Sequence, residues 1–495
     1  MFESAELGHS TDKATYDEAV PDLRAALLDA QFELLDLKQF AVVVLINGID
    51  GAGKGETVNL LNEWMDPRHI EAFAFDAPTE EASVRPFMWQ FWRALPPKGK
   101  IGVLFNNWYT DPIRERVERS SKKADFDKQI DEIRRFEEML DHEGVLLIKL
   151  WFHLSKDGQK KRLKELEKDP KTRWRVTDRD WHYFERYDRY RDVAGRAIRL
   201  TSTGDCPWTI VDGSDSRFRA LFVGRVLLDG LRKRLDTAQR HWMPRKTAAP
   251  LPPAIDSLNL LNSLELKQDM GKKEYEDLLE RYQGRLALLT RDPAFRKHGL
   301  VLVFEGGDAA GKGGAIRRIT AALDVRQYRI IPIAAPTEEE RAQPYLWRFW
   351  RQLPGRGKIV FFDRSWYGRV LVERVEGLCS EADWMRAYGE INDFEDQLVQ
   401  AGTVVVKFWL AISKDEQLVR FKARESEPHK RFKITDEDWR NRERWDDYAR
   451  AVCDMADRTS TEIAPWTMVE ADNKLFARIK ILRTVCEALE HAMAK

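Results

Sequence analysis

The sequence predicts an α/β protein in which one three-layer α/β/α fold, built on a parallel sheet, occurs twice in tandem. Three observations support this fold class. Two long parts of the chain repeat each other at a constant offset of 258 residues. Within each part, short apolar runs alternate with charged helical stretches, as they do in parallel sheets that helices cover on both faces. A glycine-rich turn with a lysine follows the first apolar run of each part.

The repeat divides the chain into two domains. Lys54 and Lys312 are matched at this offset, and the match continues without slippage. Other matched segments are 77–81 with 335–339, 108–109 with 366–367, 177–178 with 435–436 and 207–209 with 465–467. Prolines crowd the stretch between the copies, where they prevent a helix from continuing. We therefore predict a first repeat at 1–240, a proline-rich linker at 241–258 and a second repeat at 259–495.

The elements of the second repeat follow from local patterns. Apolar, β-branched runs predict strands at 300–304, 329–333, 358–362, 403–410 and 466–470. The charged stretches between the strands predict helices at 314–323, 347–352, 381–400 and 414–425. An amphipathic helix precedes each copy, at 23–38 and at 275–289. In such a fold, we expect the functional site at the carboxyl ends of the strands.

The first strand of the second repeat leads into segment 304–314, which reads FEGGDAAGKGG. A buried strand that turns through glycines into a helix points backbone N–H groups at one small volume, and a lysine there completes a phosphate-binding P-loop. The loop residues that we expect to bind phosphate are Gly306, Gly311, Lys312, Gly313 and Gly314. The Walker A pattern places a Ser or Thr after the lysine, but here Gly313 follows it. Any Mg²⁺ must therefore rely on carboxylates, of which Asp308 lies inside the loop.

The third strand ends in a second segment that carries chemistry, 359–369, which reads IVFFDRSWYGR. An aspartate at the end of such a strand supplies a second carboxylate, close to the metal and to the transferring phosphoryl group. We therefore predict Asp308 and Asp363 as the metal ligands. Arg364 follows at the strand tip, where a guanidinium is suited to bidentate contact with phosphate. The predicted fold class is thus a P-loop kinase-like α/β/α fold, duplicated in tandem.

A basic cluster lies between the fourth and fifth strands of the second repeat. It contains Lys430, Arg431 and Lys433. Charged helices at this position commonly form a lid that closes over donor phosphates and excludes water. We choose Arg431 as the catalytic lid arginine, with Arg424 as the second choice.

Composition excludes some functions. The 82 basic residues balance 82 acidic ones, whereas a general nucleic-acid binder needs a large basic excess. The first residues are polar and acidic and show no secretory signal, and no apolar run is long enough to span a bilayer. We expect a cytoplasmic protein with no nucleic-acid or membrane partner.

The motifs of the second repeat resemble those of the polyphosphate kinase 2 family. The segments that carry the resemblance are 305–314, 362–369 and 459–466, and the similarity covers both repeats. The tandem arrangement is similar to that of the family's two-domain polyphosphate:AMP phosphotransferases. The resemblance implies transfer of the terminal phosphoryl group of inorganic polyphosphate to AMP, which gives ADP. It also implies a Mg²⁺ cofactor and a reaction that is reversible in principle.

The residues agree with this chemistry. An AMP phosphate is already anionic, so the main difficulty is its repulsion by the polyphosphate end, and positioned cations such as Lys312, Arg364 and Arg431 relieve it. Asp363 is also a candidate to orient the acceptor. Further residues are predicted to contact the substrates. Those along a channel for the polyanion are Arg317, Arg318, Arg348, Arg369 and Arg374. Those on the nucleotide side are Glu338 and Glu373.

The first repeat lacks several of these charged groups. Phe105 and Asn106 stand at the positions of Asp363 and Arg364. The other replacements, with the second-repeat residue in brackets, are Asn59 (Arg317), Gln90 (Arg348) and Asp111 (Arg369). We therefore predict that the second repeat performs the chemistry. The first repeat then serves as a structural partner or as a module that holds polyphosphate or regulates the enzyme.

Other functions stay open on the sequence alone. ADP or a guanine nucleotide is an alternative acceptor, and ATP is an alternative donor, as in the thymidylate kinase group. Gly313 argues against the ATP-dependent alternative, because it replaces the hydroxyl that binds the metal. A third alternative is a scaffold that binds polyphosphate or a nucleotide without catalysis. For the assembly, the sequence allows a monomer or a homodimer of two-domain chains, and we favour the homodimer.

Overall fold

A computed structural model describes residues 1–239, 260–427 and 434–494 of the chain. These residues form two compact units. The first unit comprises 1–78, 90–239 and 336–347, and the second comprises 79–89, 260–335, 348–427 and 434–494. The predicted linker at 241–258 lies outside the described residues, as do the predicted lid residues Lys430, Arg431 and Lys433.

The first half of the chain alternates strands with helices. Its strands are β1 (Val42–Gly48), β2 (Ile70–Ala74), β3 (Ile101–Phe105), β4 (Leu146–His153) and β5 (Trp208–Asp212). Its helices are α1 (Lys13–Leu37), α2 (Lys54–Trp64), α3 (Glu80–Ser83), α4 (Trp89–Arg93), α5 (Thr110–Glu118), α6 (Lys123–His142), α7 (Lys156–Lys168), α8 (Asp178–Glu185), α9 (Tyr187–Thr201) and α10 (Ser216–Gln239).

The second half repeats this order. Its strands are β6 (Gly299–Gly306), β7 (Tyr328–Pro332), β8 (Ile359–Asp363), β9 (Thr403–Ala411) and β10 (Trp466–Glu470). Its helices are α11 (Lys272–Leu289), α12 (Lys312–Thr320), α13 (Glu338–Arg341), α14 (Trp347–Trp350), α15 (Val372–Glu376), α16 (Glu381–Gln400), α17 (Lys414–Ser426), α18 (Asp436–Glu443), α19 (Trp445–Thr459) and α20 (Lys474–Met493). Every strand predicted for the second repeat is confirmed, and so is every helix predicted between them, with small shifts at the ends.

Each half forms one parallel sheet of five strands. The strand order is β2-β3-β1-β4-β5 in the first sheet and β7-β8-β6-β9-β10 in the second. In the second sheet, β6 and β8 are neighbours, and their register pairs Phe304 with Asp363. The phosphate-loop candidate and the strand-tip candidate therefore leave adjacent strands at the same edge. This confirms the predicted duplicated α/β fold and explains why the two motifs meet.

The central strands have continuous apolar runs because helices cover both faces of the sheet. Along β6, the residues from Gly299 to Glu305 are all buried. Leu302 of β6 belongs to one apolar cluster with Leu286 of α11 and Leu482 of α20. Burying one such side chain stabilises a fold by about 1.5–3 kcal/mol. This packing holds the carboxyl edge of the sheet rigid enough to support a site.

The largest error in the predicted elements concerns the helix that precedes the first sheet. We predicted 23–38, but α1 begins at Lys13, where the Asp12 side chain accepts a hydrogen bond from the Thr15 amide at 3.0 Å. The prediction was too short because the first turns of α1 are polar and because Pro21 lies inside the helix. Among the described residues, no helix is sufficiently long and apolar to cross a membrane.

Candidate active site

The loop after β6 has the geometry of a phosphate cradle. Gly306 has a φ of 150°, and a Cβ there would lie 2.7 Å from the Leu410 carbonyl oxygen, so the strand end requires glycine. Gly311, with a φ of 113°, is the N-cap of α12. Around the Cβ positions of Gly311 and Gly313 there is nothing within 4 Å. The first N–H groups of α12 therefore face open space, where an anion binds favourably.

Lys312 lies folded over this loop. Its Nζ donates to the Gly306 carbonyl at 2.6 Å and approaches the Gly307 carbonyl at 3.4 Å. A lysine in this position holds its charge at the mouth of the cradle, where it reaches phosphate oxygens by a small rotation of its side chain. The predicted role of Lys312 is compatible with this placement.

Asp308 connects the loop to the strand tip. Its Oδ1 accepts from Arg364 Nη2 at 3.3 Å, and its Oδ2 accepts from Asn441 Nδ2 at 2.9 Å. Asn441 lies on α18 and accepts in turn from the Tyr448 hydroxyl at 3.2 Å. The sequence analysis did not identify Asn441, because nothing in its local pattern shows that α18 reaches the phosphate loop.

Arg364 has a left-handed backbone. Its φ is 63°, which is uncommon for a residue with a long side chain and is a form of local strain that functional sites often retain. Its amide donates to the Phe304 carbonyl at 3.0 Å, so the tip is fixed to the end of β6. Burial opposes the charge of this guanidinium, but Asp308 and Glu305 more than compensate, and its pKa lies above the ordinary value. The side chain is therefore a permanent cation beside the loop.

Glu305 is a buried carboxyl that the sequence analysis did not assign. Its Oε1 accepts from the Ser365 hydroxyl at 2.7 Å, and burial raises its pKa above the ordinary value. The first unit has a neutral pair at the matching positions, where Asn47 Nδ2 donates to Asn107 Oδ1 at 2.9 Å. This paired difference between the copies was the sequence signal that would have identified the contact.

A buried polar network fixes the backbone just beyond the tip. Glu395 Oε1 accepts from Trp366 Nε1 at 3.0 Å and from the Tyr367 hydroxyl at 2.7 Å. Lys407 Nζ donates to Glu395 Oε2 and to the Thr459 carbonyl, both at 2.7 Å. Glu395 and Lys407 are almost completely buried. Because each charge is paired and hydrogen-bonded, the network holds the tip segment in one conformation.

A cavity of about 740 Å³ opens over the loop. Asp308, Lys312, Asp363 and Arg364 all line it, and Asp363 is half-buried at the end of β8. Other predicted residues that line the cavity are Gly311, Gly313, Gly314, Arg317, Arg318 and Arg424. The structure thus brings together the predicted loop, both predicted metal ligands, two of the predicted polyanion contacts and the second-choice lid arginine, Arg424.

A smaller cavity of about 220 Å³ adjoins the larger one, and Asp308 and Arg364 line both cavities. Its walls are largely apolar and include Trp409, Trp445 and Tyr448. Polyphosphate has no surface that aromatic walls bind well, whereas a nucleoside has. The two cavities therefore offer different chemistry next to one shared charged pair.

Other predicted contacts lie away from the larger cavity. Arg369 forms an ion pair with Glu373 at 2.8 Å, and neither lines that cavity. Arg374 donates to the Tyr388 hydroxyl at 3.0 Å, pairs with Asp454 at 2.7 Å and lies 4.2 Å from the Trp384 ring centroid. These contacts hold α15 against α16 and α19.

The last two predicted substrate residues also lie outside both cavities. Arg348 Nη2 donates to the Ala334 carbonyl at 2.9 Å, and the guanidinium lies 5.1 Å from the centre of the Phe349 ring. Glu338 is exposed and is the first residue of the short helix α13, which Thr337 caps. Neither residue is among those that line the two cavities.

The carboxylates of the larger cavity fit a magnesium ion held mainly by phosphate. Within the described ranges, no group of three or more His, Cys, Asp or Glu side chains is arranged to hold a metal by itself. Mg²⁺ usually takes one or two protein carboxylates and completes its shell with water and substrate phosphates. Asp308 and Asp363, which line one cavity with the loop, match that requirement.

The whole chain is similar to known proteins. A sequence profile described as Polyphosphate kinase 2 matches residues 10–239 and 269–495. A polyphosphate:AMP phosphotransferase of Pseudomonas aeruginosa is 60% identical over 100% of both chains. One of Pseudomonas syringae is 54% identical over 100% of this chain and 99% of its own. The crystal structure of a putative polyphosphate kinase 2 from Pseudomonas aeruginosa superposes with a TM-score of 0.91, at 57% identity and full coverage of both chains.

A parallel sheet with a glycine-rich cradle, a loop lysine and a facing arginine defines a P-loop protein of the phosphoryl-transfer class. The family profile covers both repeats and nearly the entire length. The chain belongs to the polyphosphate kinase 2 family.

Proposed function

We propose that this protein transfers the terminal phosphoryl group of inorganic polyphosphate to AMP and forms ADP, and that the second unit carries out the reaction. The observation that carries the proposal is the convergence of Asp308, Lys312, Asp363 and Arg364 on one open cradle. The full-length similarity to two proteins named polyphosphate:AMP phosphotransferase supports both the donor and the acceptor.

The larger cavity suits the donor. Arg317, Arg318 and Arg424 line it together with the N-terminus of α12. A chain of phosphates needs several cations along its length, and this cavity supplies them. We therefore place the end of the polyphosphate chain over Gly311 and Lys312, with the rest of the chain along the arginines.

The smaller cavity suits the acceptor nucleoside. Its aromatic walls offer stacking surface for adenine, and it shares Asp308 and Arg364 with the donor cavity. An AMP whose base lies against Trp445 or Tyr448 directs its phosphate toward this charged pair. The acceptor and the donor then meet beside Arg364, each from its own cavity, and an in-line transfer requires the attacking and leaving oxygens to lie on opposite sides of the transferring phosphorus.

The chemistry requires positioning and charge neutralisation more than proton transfer. The AMP phosphate is already an anionic nucleophile at neutral pH, so no general base is needed. Lys312 and Arg364 reduce the repulsion between the two polyanions and stabilise the charge on the transferring group. The strained backbone of Arg364 and its bond to Asp308 hold the guanidinium in place before substrate binds.

We assign Mg²⁺ to Asp308 and Asp363. When bound, the ion neutralises phosphate charge and helps to orient the donor. The absence of a hydroxyl after Lys312 leaves these carboxylates as the protein's contribution to the ion. We also propose a cytoplasmic location and a homodimer, which cell fractionation and light scattering of the purified chain test directly.

The proposal is tested by measuring ADP formation from AMP, Mg²⁺ and long-chain polyphosphate, with ATP as the comparison donor. We expect activity with polyphosphate in the wild type and its loss in Asp363→Asn. The control is Asp50→Asn in the first unit, at the position that matches the other proposed metal ligand, Asp308, and we expect it to remain active. ADP formed equally by Asp363→Asn and the wild type would place the reaction elsewhere. Activity with ATP alone would favour a nucleotide kinase.

A further inference from the structure

The first unit contains a complete phosphate loop. Gly48 has a φ of 138° and Gly53 a φ of 86°, and Gly53 is the N-cap of α2. Lys54 Nζ donates to the Gly48 carbonyl at 2.7 Å, as Lys312 does to Gly306 at 2.6 Å. The backbone is therefore shaped for an anion, although this unit lacks the strand-tip charges that the proposed reaction uses.

A carboxylate of the chain itself lies at this loop. Glu56 Oε1 accepts from Arg162 Nη2 at 3.0 Å and from Arg175 Nη1 at 3.2 Å. Its other oxygen, Oε2, accepts from Arg219 Nη2 at 2.6 Å. Glu56 lies in the first turn of α2, near the positive end of the helix dipole. Three guanidinium groups and a helix N-terminus around one anion match the surroundings that proteins give to a bound phosphate.

Arg219 fills the cradle from the other side. A Cβ on Gly53 would lie 2.1 Å from its Cζ, so the guanidinium occupies the space next to the loop backbone. Only 5% of Arg219 is exposed. Burial lowers its pKa, while Glu56 acts in the opposite direction. A guanidinium buried to this extent requires an anionic partner, and Glu56 provides one.

The second unit has neither group. At the offset of 258 residues, Gly314 matches Glu56 and Ala477 matches Arg219. The space around Gly311, which matches Gly53, is open within 4 Å. The space beside this glycine is thus open in the unit where substrate is proposed to bind. In the first unit Arg219, paired with Glu56, occupies it, and a cavity of about 480 Å³ lies beside the same loop.

We infer that Glu56 is an internal substitute for phosphate, and that the first unit contains a latent oxyanion site whose three arginines this carboxylate neutralises. The ligand class of the latent site is inorganic phosphate or the end of a short polyphosphate. In the wild type, the site does not compete with the second unit for donor. The inference goes beyond the proposed function, because it concerns a unit to which no chemistry is assigned.

The test removes the charge of Glu56 in the full-length chain. Calorimetric titration with tripolyphosphate compares the wild type, Glu56→Gln and the double variant Glu56→Gln, Arg219→Met. We expect Glu56→Gln to bind tripolyphosphate at one site more than the wild type, because three arginines then lack their anion. We expect the added site to disappear in the double variant. Glu63→Gln, on an exposed carboxylate of the same helix, is the matched control and should titrate as the wild type does.

Two results would overturn the inference. One is a Glu56→Gln protein with the same number of tripolyphosphate sites as the wild type. The other is an occupied site in the first unit of the wild type, revealed by a loss of binding in Arg219→Met alone. Glu56→Gly, which copies the second unit, is titrated in the same way if Glu56→Gln does not fold. ADP formation is measured in parallel and should be unchanged, so this test is independent of the proposed function.

Discussion

The two phosphate loops have the same backbone conformation but differ in the side chains that lie beside them. In the second unit, the space beside Gly311 is open and Asp308 is bonded to Arg364 and Asn441. In the first unit, Asp50 pairs instead with the loop lysine, Lys54, at 2.9 Å. Burial opposes ionisation of Asp50, but Lys54 outweighs it and holds the pKa below the ordinary value. The comparison shows that fold and chemistry are separable, since one loop geometry serves an open site and a self-neutralised one.

The strand tips show the same separation. Arg364 has a φ of 63°, and Asn106 at the matching position has a φ of 53°. Asparagine tolerates the left-handed region better than most residues, so the backbone is kept while the charge is lost. Beyond the tip, Lys149 Nζ donates to Glu137 Oε2 at 2.6 Å in the first unit, which repeats the pair of Lys407 and Glu395. The network that supports the tip is therefore structural in both units.

The largest expected effect on activity concerns Arg364, the cation at the end of β8. Arg364→Asn installs the first-unit residue, which accepts the same backbone, and we expect it to lower kcat for ADP formation by on the order of 10³. The reason is that the variant removes the guanidinium, and with it the contact to Asp308, while asparagine keeps the left-handed backbone of the strand tip. Steady-state kinetics measures the effect, and unchanged circular dichroism confirms the fold. Asn106→Asp, at the matching position of the first unit, is the control. If Arg364→Asn keeps most of its activity, Arg364 is not required for the reaction.

The next effect concerns the buried network and should be equal in the two units. Lys407→Met and Lys149→Met each leave a buried glutamate without its cation, which costs about 3–5 kcal/mol of folding free energy. Urea denaturation of each variant measures the loss. A large loss of stability in one variant and none in the other would show that the matched networks do not stabilise the two units equally.

A smaller effect is expected where the loops differ in sequence at a left-handed residue. Ala309 has a φ of 63°, and Gly51 at the matching position has a φ of 85°. Gly51→Ala should therefore destabilise the chain by about 1–2 kcal/mol through backbone strain. Ala309→Gly should be nearly neutral, because relief of strain offsets the added entropy of the unfolded chain. Thermal midpoints check both variants, and a stabilised Gly51→Ala protein would contradict this account.

The smallest effect concerns pH. Burial raises the pKa of Glu305, so its contribution to stability is present at acidic pH and is lost as pH rises through the folded-state pKa. Glu305→Gln keeps an acceptor for Ser365 and removes the titration. The variant should therefore gain stability relative to the wild type as pH rises from an acidic value, below the ordinary glutamate pKa, to a neutral value. Denaturation midpoints at the two pH values measure this, and Asn47→Asp is the converse variant, which should lose stability over the same interval.

Much of the fold could be predicted from sequence because the signals are local. Buried parallel strands are continuous apolar runs, and a glycine loop with a lysine has few other interpretations. That the loop and Asp363 share one edge of the sheet followed from the expectation that the site lies at the carboxyl ends of parallel strands. Contacts between distant segments carried no such signal. Asn441 lies on a polar helix with no apolar face to fix its orientation, so its bond to Asp308 was invisible in the sequence.

Some predicted substrate contacts rested on charge alone, and in the structure these residues line neither cavity. Arg374 and Glu373 were predicted to contact substrate because they follow the strand tip in sequence. In the structure, Arg374 packs on Trp384 and pairs with Asp454, while Glu373 pairs with Arg369. The position of a residue close to the strand tip in sequence does not show whether its side chain contacts a ligand or holds a neighbouring helix in place. The role of such a side chain depends on its ion-pair partner, and that partner can lie on another element of the fold.

The most direct test of the contrast between the two units uses their loop lysines. Lys54→Met and Lys312→Met are made separately in the full-length chain, and ADP formation from AMP, Mg²⁺ and polyphosphate is measured for each. We expect Lys312→Met to lose activity and Lys54→Met to retain it. Activity lost in Lys54→Met and kept in Lys312→Met would place the reaction in the first unit and contradict the account.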